Sequence, residues 1–277
     1  MSKEITIWQK LIRSELIENL SESFLSEFAE PLFSGRLLRS SLLGYLCDFS
    51  KCDVTLNSAL AVELVHSASL LHDDVIDGAF FRRHAETLWK QKGIPASILS
   101  GDYLVTLAFG RVVKTQNFSI CTQFSESLQK VCALEAKQDL ESETDKTIEN
   151  AVEIAEGKTG ELFGFAAFAS TTDSSKAQAL YEAGLKLGTA YQLADDLADA
   201  FGIFDEIGKT LGTDETSGKV TILSAGATFD EARQIIQKLI DEALSLFDEV
   251  GVLQNVENYL KDLFYPAIER LIGAKND

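Results

Sequence analysis

The sequence predicts an all-α protein, a single helical bundle with an unusually apolar middle. Apolar residues recur at three- and four-residue spacing along almost the whole chain, as helices with one buried face require. Convincing stretches of period-two alternation are absent. Only three prolines (Pro31, Pro95 and Pro266) occur in 277 residues, and no Pro- or Ser-rich stretch reads as a linker. One continuous domain over residues 1–277 is therefore expected, with a bundle architecture.

The elements follow in order. "NSALAVELVHSASLLHDDVIDG" reads as one long helix, with Asn57 as its N-cap and Gly78 as its stop. "IPASILSGDYLVTLAFGRVVK" is a second apolar helix, in which Pro95 suits the first turn. "TIENAVEIAEGKTGELFGFAAFAS" and "SSKAQALYEAGLKLGTAYQLADDLADAFG" are two further long helical segments. The tail from about Phe229 to Ile272 divides into two amphipathic helices.

Composition narrows the function. A formal charge of −18 argues against a nucleic-acid partner, because phosphate neutralisation needs clustered Lys and Arg. It also disfavours electrostatic binding to an anionic membrane surface. The opening "MSKEITIWQKLIRSEL" lacks the apolar core of a signal peptide, and no run of about 18 uninterrupted apolar residues marks a membrane span. Cys47, Cys52, Cys121 and Cys132 form no CxxC pair, so reduced, ordinary buried thiols in a cytoplasmic protein are expected.

The chemistry concentrates in two acidic clusters. "LLHDDVIDGAFFRR" carries Asp73, Asp74 and Asp77 as D-D-x-x-D inside an apolar helix. Positions i and i+4 of a helix differ by only ~40°, so Asp73 and Asp77 share a face, while Asp74 lies ~100° away in a flanking position. "YQLADDLADAFG" repeats the pattern as Asp195, Asp196 and Asp199. Both clusters end a predicted helix, where the dipole favours cations and disfavours carboxylates. Six facing aspartates would repel strongly without a divalent cation, and oxygen-only ligands point to Mg²⁺, which usually brings a phosphate. Glu63 and His66 form the E-x-x-H of helical di-iron sites, but His72 and His84 are preceded by Ser69 and Phe81, so the second copy such a site needs is missing.

Phosphate ligands should then flank the aspartates, and basic residues do. Arg82 and Arg83 follow the first cluster, Lys209 and Lys219 the second, with Lys158 and Thr159 in "EGKTGELFG" and Arg36 and Arg39 in "SGRLLRS". His66 precedes Asp73 by two turns, and Gln192 precedes Asp196 by one. The stretches "GRLLR", "ELVHSASLLHDDVIDGAFFRR", "ASILSGDYLVTLAF", "GKTGELF", "YQLADDLADAFG" and "GKTLGTDETSGKVT" together resemble the trans-isoprenyl diphosphate synthases, or polyprenyl synthetases, in order and spacing across most of residues 33–225.

The resemblance implies an isoprenoid-synthase bundle around a central apolar cavity and a Mg²⁺-dependent head-to-tail condensation of isopentenyl diphosphate with an allylic diphosphate. Asp73, Asp74, Asp77, Asp195, Asp196 and Asp199 would form the metal-binding set, with three Mg²⁺ per substrate-loaded site. Arg82, Lys158, Gln192, Lys209 and Lys219 would complete the allylic diphosphate pocket. Arg36, Arg39, His66 and Arg83 would hold isopentenyl diphosphate, and Thr159 and Gln192 would face the allylic cation. Asp73, Asp77, Lys158, Thr159, Gln192 and Asp195 would carry catalysis. A homodimer is implied as well.

The chain departs from the family pattern at Arg36, where Lys is usual, at Ser40 in place of Pro, and at "HAE" after the arginine pair, where G-x-P is common. Ala68 and Ser69 stand where short-chain members place aromatics, which implies a product of C20 or longer unless Phe109, Phe163 or Phe168 closes the tunnel. Four alternatives stay open: a short-chain synthase, a terpene cyclase (disfavoured by the full second D-D-x-x-D), a head-to-head coupling enzyme, and a non-catalytic partner subunit of the same fold.

Overall fold

The computed structural model describes residues 3–82, 85–140, 146–201 and 220–272. Helices are α1 (Lys3–Leu20), α2 (Ala29–Leu32), α3 (Leu38–Leu46), α4 (Asp53–Ile76), α5 (Leu88–Lys92), α6 (Ile94–Lys114), α7 (Phe118–Leu140), α8 (Ile148–Ala155), α9 (Glu161–Phe168) and α10 (Ser174–Phe201). Three more, α11 (Phe229–Glu249), α12 (Leu253–Tyr259) and α13 (Tyr265–Ile272), complete the described chain. Its one strand pairing among the described residues is a hairpin of β1 (Phe81–Arg82) with β2 (Ala85–Glu86). The predicted all-α class is the observed one. The described residues divide into two compact units, one up to Cys121 and the other from Thr122.

In the first unit, α1 buries Ile5, Trp8, Ile12, Leu16 and Leu20, a stripe at helical spacing. The Trp8 indole donates to the Ser40 carbonyl at 2.9 Å, over Gly44. Helix α4 is buried along most of its length and packs on α6, where Ser97 Oγ donates to the Leu71 carbonyl at 2.8 Å. A Cβ on Gly101 would lie 2.2 Å from His72 Nε2, so the His72 ring of α4 fills the space that glycine leaves open on α6.

Helix α4 starts at Asp53, four residues before the expected Asn57 cap. Extended Cys52 is its N-cap, and the Asn57 amide is spent inside the helix on the Asp53 carbonyl. Gly78, at φ 62°, follows the helix end as expected. By length and mean hydropathy alone both α4 and α6 could cross a membrane, although charged residues interrupt each of them. In α4 72% of that window is buried within the protein, as in a core helix; in α6 only 33% is. All four cysteines are free thiols, as expected, but none is fully buried: Cys52 and Cys132 are exposed, Cys47 and Cys121 half-buried.

In the second unit, the segment expected to be one helix from Thr147 to Ser170 is α8 and α9 joined by a π-turn, Glu156–Gly160. Helix α9 is buried at every position and lies against α10. A second π-turn, Leu260–Phe264, joins α12 to α13. Helix α11 is closed by a capping box in which Thr228 and Glu231 satisfy each other's backbone.

Candidate active site

The first aspartate motif spans the last turn of α4 and its C-cap, Asp77. Asp73 and Asp77 are half-buried, and Asp74 is 3% exposed. Arg82, placed by the β-hairpin, donates through Nε to Asp74 Oδ1 at 2.7 Å. Burial raises the Asp74 pKa, Arg82 opposes that, and the Asp73 and Asp77 charges add to it. Three carboxylates thus stand together at the C-terminal end of a helix, an arrangement that favours an incoming cation.

Behind it on α4, Ala68 is buried, and Ser69 spends its hydroxyl on the His66 carbonyl at 2.9 Å. His66 is half-buried. Glu63, 2% exposed, reaches across to α3, where its carboxylate accepts from the Ser40 amide at 2.9 Å and the Ser40 hydroxyl at 2.7 Å. It caps the turn that carries buried Arg39, whereas the Arg36 side chain is exposed. Leu37, between the two arginines, is left-handed at φ 53°, a strained conformation of the kind found at ligand clamps. Glu63 therefore acts on Ser40, its nearest polar neighbour on α3.

The second motif ends α10, with Asp195 and Asp196 half-buried and Asp199 6% exposed. One turn earlier, buried Gln192 accepts from Thr159 Oγ1 at 2.6 Å and donates to Asp196 Oδ1 at 2.8 Å. Lys158, Gln192 and Asp196 line one small cleft with Gln138, Val220 and Thr221. The π-turn makes this possible. Cβ atoms on Gly160 and Gly188 would meet backbone at 2.9 Å or closer, so the turn and α10 touch main chain to main chain. The glycines of "GKTG" were visible in the sequence; the extra backbone bond, from the Glu161 amide to the Glu156 carbonyl, was not.

Among the described residues no three His, Cys, Asp or Glu side chains form a ready-made metal cage. Each motif supplies carboxylate oxygens, the donor set Mg²⁺ takes one or two at a time while substrate and water oxygens fill its octahedron. Arg83, His84, Lys209 and Lys219 lie outside the described residues. Phe163 is fully buried and Phe168 nearly so, whereas Phe109 is 41% exposed.

An all-α chain with paired carboxylates closing two long helices, and cations beside each, defines the isoprenoid-synthase class of helical fold. The polyprenyl synthetase model matches residues 22–256. Octaprenyl diphosphate synthase of Haemophilus influenzae is 31% identical over 234 residues, 78% of this chain and 71% of that one. Among solved structures, a geranyltranstransferase of Thermotoga maritima superposes with TM-score 0.78 at 26% identity, covering 96% of this chain and 99% of the other. A polyprenyl synthase of Caulobacter crescentus, complexed with calcium and isoprenyl diphosphate, gives 0.73 at 26% identity, with 97% and 95% covered. The chain belongs to the polyprenyl synthetase family and is a trans-prenyltransferase.

Proposed function

We propose that this enzyme condenses isopentenyl diphosphate head-to-tail with an allylic diphosphate and releases a product of C20 or longer. The observation that carries the reading is the hydrogen-bond chain Thr159–Gln192–Asp196. The Thr159 proton is committed to Gln192, and the Gln192 amide hydrogen to Asp196. Oxygen lone pairs of Thr159 and Gln192 are thereby left for a developing allylic cation, the preorganised polarity that ionisation needs.

Asp73 and Asp77 from one motif, and Asp195 and Asp199 from the other, would hold three Mg²⁺, with Asp74 and Asp196 steadied by Arg82 and Gln192. The bound ions supply charge neutralisation for a departing diphosphate. Lys158 and Arg82, with Lys209 and Lys219, bind the same leaving group. Arg36, Arg39, His66 and Arg83 bind isopentenyl diphosphate. As the allylic C–O bond breaks, its electron pair leaves with the diphosphate. The isopentenyl double bond then attacks the cation, and a proton passes to the released diphosphate. Apolar helix faces exclude water from the cation.

Small Ala68 and Ser69 leave room for chain growth, in keeping with the octaprenyl product named for the Haemophilus relative. We also propose a cytoplasmic homodimer. Helix α6 leaves Ile94, Ile98, Leu99, Phe109 and Val113 more than 40% exposed, a surface that a second copy would cover. Residues 1–277 would act as one domain. Replacing Asp73 or Asp195 by Asn tests the metal roles. Each should lower kcat by about 100-fold or more and raise the Mg²⁺ concentration for half-maximal activity. Retention of wild-type Mg²⁺ dependence in both variants would sink the assignment.

A further inference from the structure

Glu161 begins α9 directly after the π-turn, and its carboxylate is 3% exposed among apolar residues. An unpartnered carboxylate there would be strongly unfavourable. Its partners come from two other helices. The Tyr181 hydroxyl, on α10, contacts both carboxylate oxygens at 2.8 and 2.7 Å. Lys130, on α7, donates to Glu161 Oε1 at 3.0 Å and to the Tyr181 hydroxyl at 2.8 Å, with its ammonium 5.2 Å from the Tyr181 ring centre. Desolvation works against the Lys130 charge, but its hydrogen bonds to Tyr181 and Glu161 outweigh it and hold its pKa above the usual value. Burial is the main reason that the Tyr181 phenol is pushed up to about 12, so it stays a donor throughout the working pH range.

The position of this network gives it a task. The Glu161 amide makes the bond to the Glu156 carbonyl that defines the π-turn. Such turns exchange good α-helical bonds for strained ones and persist only where the surroundings impose them. If this one relaxed to α-helix, its residues would shift by one position, about 100° around the axis. Thr159 would then lose Gln192. The Lys130 side chain is 53% exposed, so only the Glu161 end of the pair is buried, and for stability alone an apolar residue at 161 would serve as well.

We propose that Glu161, Tyr181 and Lys130 are positioning residues, a lock joining α7, α9 and α10 that holds the π-turn open and thereby fixes the rotational setting of Lys158 and Thr159. The kinetic part of this inference rests on the prenyl-transfer reading; the structural part does not.

The test uses Tyr181→Phe, which removes one oxygen, and the milder Lys130→Gln as a second variant should the first fold poorly. Backbone hydrogen exchange is followed in the full-length protein across residues 156–161, with α4 as internal reference. In parallel, kcat and the KM for each substrate are measured. Exchange in 156–161 should speed up by about tenfold while α4 stays unchanged. The kcat should fall by about tenfold or more, with KM for isopentenyl diphosphate held within about twofold. A general loss of stability would instead speed exchange in α4 as well. Unchanged exchange in 156–161, or faster exchange with wild-type kcat, overturns the proposal. If the wild-type protein elongates no primer, the functional reading fails, and the exchange comparison still decides whether the lock exists.

Discussion

Gly188→Ala changes one hydrogen for a methyl group in the middle of α10. The added Cβ would lie 2.7 Å from Gly160 Cα, 2.8 Å from Phe163 Cβ and 2.9 Å from the Thr159 carbonyl oxygen. Carbon atoms in ordinary contact sit about 3.5–4.0 Å apart, so α10 and the π-turn must separate by about 1 Å. Two of the three obstacles are main-chain atoms, which cannot swing aside as a side-chain tip would. If that shift falls on the Thr159–Gln192 hydrogen bond, its 2.6 Å becomes roughly 3.6 Å, beyond bonding distance.

Overpacking of this kind costs about 1–3 kcal/mol. Alanine returns about 0.5–1 kcal/mol through its better helix propensity. The net loss of stability is therefore modest, at most about 2.5 kcal/mol. Catalysis should suffer far more, because a displacement of about 1 Å at a positioned group can cost on the order of 100-fold. Urea unfolding and steady-state elongation kinetics measure the two effects separately. A Gly188→Ala enzyme with kcat within about twofold of wild type would refute the claim that this close approach sets the site.

Three other outcomes are expected. Glu63→Leu leaves the buried Ser40 amide without its carboxylate; it should destabilise the fold by about 1–3 kcal/mol and raise KM for isopentenyl diphosphate more than for the allylic substrate, and equal effects on both would contradict a local role beside Arg39. The folded pKa of Asp74 is raised above 3.8, chiefly by burial, so its contribution to stability falls as pH climbs from 3.8 through the folded value. Asp74→Asn, which can still accept from Arg82, should therefore match or exceed wild-type stability at neutral pH while losing activity, and lower stability there would count against the reasoning. Among the thiols, hydrogen bonds from Thr55 lower the Cys52 pKa, whereas burial raises that of Cys47; alkylation at mildly alkaline pH should modify Cys52 before Cys47, with Thr55→Val slowing it, and the reverse order would refute the assignment.

Much of the fold was legible because helix periodicity is a local property. Apolar spacing located α4, α6, α10 and the tail helices, and Pro95 and Gly78 marked ends where the backbone demands those residues. Asn57 was misread because a good capping residue serves equally well one turn inside a helix, bonding back to Asp53. The π-turn was invisible for a different reason. Its cause is tertiary: the main-chain contact with α10 and the Glu161 anchor both depend on residues twenty or more positions away. Asp73, Asp77 and Asp195 could be read from repeated spacing. The pairing of Arg82 with Asp74 depends on the β-hairpin geometry, which no spacing rule encodes.

The most direct test of the account is product sizing. Purified protein is incubated with isopentenyl diphosphate, Mg²⁺ and, in separate reactions, dimethylallyl, geranyl or farnesyl diphosphate. A ladder of products ending at C20 or longer is the predicted result. A stop one isoprene unit earlier would contradict the open path past Ala68 and Ser69, and no elongation from any primer would contradict the proposed synthase activity itself.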